Sequence, residues 1–116
     1  MFNSEILRRL GYMITLCYVI NSEKTLCEET GDLPTVFLNF SGHICGVDLQ
    51  IHENGWEADS YPEYQRSCYL TDENAVIELD EMIAELTRTL GNKKHREERN
   101  ANVRDVQAQP VPPEMP

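Results

Sequence analysis

Paired cysteines, a surplus of basic charge and any long apolar run are all missing from this chain, and each absence excludes something. The four cysteines, Cys17, Cys27, Cys45 and Cys68, stand ten, eighteen and twenty-three positions apart with no C-x-x-C pair. Neither a zinc ribbon nor a dithiol redox motif can be built on that spacing. Lys and Arg number ten against twenty Asp and Glu, a formal net charge of -10. Between Glu23 and Glu85 fifteen acids face only Lys24 and Arg66. Nucleic acids and anionic lipid surfaces bind through Lys and Arg, so neither is an expected partner, whereas a basic protein surface is. No stretch approaches the roughly eighteen apolar residues of a membrane span. The first twenty residues lack the early positive region and small-residue cleavage site of a secretory signal, so a cytoplasmic location with reduced thiols is expected.

A chain of 116 residues has room for one domain. Ile6, Leu10, Met13, Cys17 and Ile20 recur at helical spacing, predicting a helix over 4–20 with Ser4 as N-cap and Gly31 and Pro34 as stop signals, while Gly11 and the β-prone YMITLCYVI leave a strand as the alternative for its second half. The segment TVFLNFSGHICGVDLQIHENG alternates as two strands, with Gly42 at the hairpin and Asn54-Gly55 at the next turn. Val36, Leu38 and Phe40, then Cys45, Val47, Leu49 and Ile51, are expected on the core face. WEADSYPEYQ reads as a loop and RSCYL as a third strand. Thr71 is the expected N-cap of a helix over 72–90 closed by Gly91, with Val76, Leu79, Ile83, Leu86 and Leu90 as its apolar stripe, widened by Ala75 and Met82. Residues 93–116 are polar and end in prolines, which predicts a disordered tail beyond a domain spanning 1–92, with KKHREER as a stretch through which the helix could continue. The expected fold is α+β: a three-stranded antiparallel sheet with both helices on one face, in the order α-β-β-β-α.

The segment SGHICGVDLQIHE concentrates His43, Cys45, Asp48 and His52. In a strand, His43 and Cys45 point the same way while His52, seven residues beyond Cys45, points the other, which is awkward for a shared metal or catalytic centre. A catalytic thiolate also needs electropositive surroundings, and these are acidic. The expectation is therefore no enzyme, no metal and no cofactor. The alternative is a small metal- or thiol-dependent enzyme using His43, Cys45, His52 and nearby carboxylates. A stronger candidate is the uncovered sheet face, where strand parity places Phe37, Asn39, Asp48, Gln50, His52 and Tyr69 together with Ser67. Trp56, Glu57, Asp59, Tyr61 and Tyr64 adjoin it in the following loop. Aromatic rings ringed by polar groups are the usual make-up of a protein-binding surface. The regular stripe on the second helix is too short for a free coiled coil and is expected to pack in the core, with self-association as a homodimer a minor companion expectation.

In size, acidity and lack of a catalytic motif, residues 1–92 resemble the small accessory proteins of bacteriophages and prophages. That resemblance transfers no functional residue. It implies an inhibitor that occupies the basic surface of a nucleic-acid-handling enzyme, in the manner of a DNA mimic or an anti-defence protein.

Overall fold

The computed structural model describes residues 3–22 and 33–108, with side chains described as far as residue 95. Helix α1 (Ser4–Asn21) is followed by strands β1 (Thr35–Ser41), β2 (Gly46–His52) and β3 (Tyr64–Tyr69) and by helix α2 (Ala75–Ala108). The strands form one antiparallel sheet in the order β1-β2-β3, so the expected α+β architecture is the observed one. Cys27 and Gly31 lie outside the described residues, as does the proline-rich end from 109 onward. Among the described residues no helix is long and apolar enough to cross a membrane.

Both helices lie on the same face of the sheet and run parallel to each other. Arg9 in α1 bonds Asp80 near the start of α2, and Lys93, farther along α2, reaches the carbonyls of Val19 and Ser22 at the end of α1. The core fills the space between the layers with Met13, Leu16, Cys17 and Ile20 from α1, Val36, Val47, Leu49, Ile51 and Cys68 from the sheet, and Ala75, Leu79, Met82 and Leu86 from α2. Each fully buried large side chain contributes about 1.5–3 kcal/mol by leaving water.

Several boundaries differ from the sequence expectation, each for a physical reason. The N-cap of α1 is Asn3, whose Oδ1 accepts the Glu5 N–H at 2.8 Å, one residue ahead of Ser4. Helix α2 begins at Ala75 and not after Thr71. Asp72 first makes a turn there, accepting the Asn74 N–H on its side chain and the Ala75 N–H on its carbonyl. Gly91 does not end the helix, which continues to Ala108. A mid-helix glycine costs only about 1 kcal/mol relative to alanine, and the KKHREER run that follows consists mostly of good helix formers. The expected boundary at residue 92 therefore falls inside α2.

The buried stripe of α2 is also displaced. It comprises Ala75, Leu79, Met82, Leu86, Thr89 and Lys93, while Val76, Ile83 and Leu90 lie only partly buried along its side. Leu79, Met82 and Leu86 are fully buried against α1 and the sheet, so this part of the stripe packs in the core.

Candidate functional site

The sheet face away from the helices is assembled by register. Phe37 lies opposite Gln50 and Asn39 opposite Asp48, and across the second ladder Asp48 faces Ser67, Gln50 faces Gln65, and Gly46 faces Tyr69. The alternation of β2 explains the division, since Val47, Leu49 and Ile51 are buried below while Asp48 and Gln50 are only half-buried above. At the centre of this face the Asp48 carboxylate is held by its neighbours. Ser67 Oγ donates to Oδ1 at 2.8 Å, Gln65 Nε2 donates to the same oxygen at 3.5 Å, and Gln50 Nε2 donates to Oδ2 at 3.4 Å. Asn39 and Tyr69 are exposed beside it.

The other half of the face is covered. His52 is 2% exposed. Phe37 meets its ring edge-on at a centroid distance of 5.6 Å, and the half-buried Trp56 meets Phe37 in turn at 6.1 Å. The Ser60 hydroxyl lies 3.5 Å from His52 Nδ1. Burial holds the His52 pKa below the ordinary imidazole value, with the Glu63 carboxylate acting in the opposite direction. His52 and Trp56 thus form a small second core on the outer face. His52, expected as part of an open surface, is closed off because the 53–63 loop folds down on it.

That loop is fastened at both ends. The Glu53 carboxylate accepts from both terminal guanidinium nitrogens of Arg88, at 3.1 and 3.2 Å, and from the Thr89 hydroxyl at 2.5 Å. The Glu63 side chain accepts the Glu53 N–H at 2.6 Å, and the Glu63 N–H bonds the Ile51 carbonyl at 3.0 Å. Gly55 and Asp59 take positive φ at 99° and 67°, and these allow the chain to reverse twice within a few residues. The four acids of this segment therefore divide. Glu53 and Glu63 hold the loop in place, whereas the side chains of Glu57 and Asp59 project from it into solvent with Tyr61.

Tyr64 departs from the expected site. It is the first residue of β3, paired with Ile51, and packs on the core side of the sheet, where burial raises its phenol pKa. The sequence offered a signal for this in the parity of Tyr64, Arg66 and Cys68, which reading 56–65 as loop concealed.

His43, Cys45 and His52 are not brought together. Cys45 closes the four-residue turn that also holds His43, and His52 ends β2 seven residues later, about 23 Å away at 3.3 Å per residue. Among the described residues no three His, Cys, Asp or Glu side chains are grouped as metal ligands would be. Cys45 is not a core strand residue as expected. It sits half-buried at φ 50°, so it and not Gly42 supplies the left-handed step of the hairpin. Burial pushes the Cys17 thiol up to about 11 and, with Glu78 adding to it, the Cys68 thiol up to about 12. Neither is a thiolate at neutral pH. In a Cys27→Ser background, Ellman's reagent at pH 7.5 is expected to titrate Cys45 in the folded protein and Cys17 and Cys68 only after denaturation. Equal native rates for the three would contradict this environment.

Compared with protein-family models, with curated proteins and with solved structures, the chain matches none.

Proposed function

We propose that the protein is a non-enzymatic binding module that offers the acidic tip of the 53–63 loop and the adjoining sheet face to a basic surface on another protein. The observation that carries this reading is the division of the loop acids. Glu53 and Glu63 fix the backbone, so Glu57 and Asp59 are presented with Tyr61 on a support already ordered before any partner arrives. Preordering reduces the conformational entropy lost on binding, and negative groups around an aromatic ring suit a surface rich in Lys and Arg. Asp48, Asn39 and Tyr69 extend the same face across the sheet. A partner that ordinarily binds nucleic acid fits this chemistry, because its basic surface would be shared with the competing polyanion. The resemblance to phage accessory inhibitors adds support of the same kind.

A test compares the wild-type chain with Glu57→Lys/Asp59→Lys, both exposed substitutions expected to shift stability by no more than about 0.5 kcal/mol. Immobilised wild type should retain basic proteins from a cell extract at about 0.1 M salt and release most of them well below 1 M, as the screening length shortens from roughly 10 Å toward roughly 3 Å. The double variant should lose the same proteins. Retention that ignores both salt and charge reversal would defeat the reading.

A further inference from the structure

We infer that the free edge of β1 and the neighbouring flank of α1 form a self-association surface, joining two copies into a continuous six-stranded sheet. This surface lies apart from the acidic face, and the inference does not rest on the function proposed above.

The backbone shows which groups are free. Asn21 donates from Nδ2 to the Val36 carbonyl at 2.9 Å and accepts the Val36 N–H on Oδ1 at 3.0 Å, so both backbone groups of Val36 point away from β2. Its partner Ile51 correspondingly turns its carbonyl to the other side, where it accepts the Glu63 N–H. Alternation then directs the N–H and C=O of Leu38 and Phe40 outward as well, and among the described residues they find no partner. Antiparallel pairing of two β1 strands about Asn39 places each Leu38 opposite the other copy's Phe40. It satisfies these groups with four hydrogen bonds, and Asn21 already caps the strand beyond them.

The flank above this edge is apolar and open. Leu7, Ile14 and Asn21 are seven residues apart on one side of α1, with Tyr18 beside them, and Asn21 shows that this side overhangs the β1 edge. Leu7, Ile14, Tyr18 and Phe40 are between 57% and 74% exposed. Covering these four side chains in two copies removes on the order of 1,000 Å² from water, the lower bound for a specific interface. Leu7 and Phe40 also border an apolar groove of about 470 Å³ between α1 and the hairpin, which gives the opposite copy room for a side chain.

Charge selects a second copy over a basic partner here. Helix α1 has only three charged residues, Glu5, Arg8 and Arg9, and they pair with one another and with Asp80 of α2. The flank and the whole of β1, TVFLNFS, carry none. Between copies of a chain with a net charge of -10, an uncharged contact avoids the repulsion that its acidic surfaces would add. The opposite edge, β3, carries Arg66 in an ion pair with Glu81, a usual way of blocking edge pairing, and β1 has no such guard.

Sedimentation equilibrium of the full chain at about 100 μM should give twice the monomer mass of 13.4 kDa, and raising salt should leave the dimer intact or tighten it. Ile14→Glu, at an exposed helical position, should weaken association at least about tenfold while the circular dichroism melt is preserved. Phe40→Pro, which removes an N–H that β2 does not use, should do the same through the strand. A monomer at that concentration overturns the inference and leaves the flank to some other protein. A dimer indifferent to both variants, or one broken by Arg66→Ala instead, overturns it equally.

Discussion

Lys93→Ala is expected to lower the unfolding free energy by about 2–3 kcal/mol, read from the midpoint of urea denaturation, while Lys94→Ala next to it changes little. The Lys93 ammonium donates to the Val19 carbonyl at 3.2 Å and the Ser22 carbonyl at 3.3 Å, and the side chain is buried. Helix α1 has no basic residue in its own last turn, so this cation, delivered from α2, meets the partial negative charge of that terminus, where the Val19 carbonyl also accepts from Ser22. Hydrogen bonds from a charged donor are each worth about 1.5–3 kcal/mol, and although the Val19 carbonyl keeps its bonds from Ser22, both carbonyls lose their cationic donor. Lys93→Met separates the contributions, since it keeps the apolar stem in place and deletes only the charge. Most of the loss should persist in it. Equal responses at Lys93 and Lys94 would mean that the contact contributes nothing.

Lys93 also marks the limit of what local pattern conveys. Apolar spacing in the sequence is enough to locate α2 and its sense of packing, because Leu79 and Leu86 are buried however the stripe is centred. The true centre passes through Thr89 and Lys93, which look like surface residues. They become interior ones by meeting Glu53, thirty-six positions away, and Val19, seventy-four positions away. No window of a dozen residues contains those partners. The candidate face was legible to a similar degree. Strand parity correctly groups Phe37, Asn39, Asp48, Gln50 and Tyr69, since alternation is a property of the strand itself. It says nothing of whether a loop folds over that face, and so His52 was expected in the open and lies closed under Phe37. Phe40 shows the converse. It shares the core-side parity of Val36 and Leu38 but lies beyond the cover of the helices, and is exposed.

The closure over His52 should appear as a pH dependence of stability. Phe37→Ala removes a ring that is 37% exposed and touches both His52 and Trp56. The expected cost at pH 7.5 is about 2–3 kcal/mol, below the 3–5 kcal/mol of a fully buried phenylalanine. In the unfolded chain His52 takes up its proton near pH 6.5, whereas in the fold burial keeps the ring neutral to lower pH. Between those two values the unfolded chain binds more protons, so the stability contributed by the neutral ring is fully present above about pH 6.5 and is lost progressively as pH falls below it. Opening the pocket in Phe37→Ala lets water reach the imidazole and returns its pKa toward the unfolded value. The variant's stability should then fall less than the wild type's between pH 7.5 and 5.5. Carboxylates common to both proteins cancel in that difference, and His52→Gln, which cannot titrate, should show the same flattened slope. If wild type and Phe37→Ala lose stability in parallel over this window, His52 is not the group responsible, and the Phe37–His52 contact has no role in the response to acid.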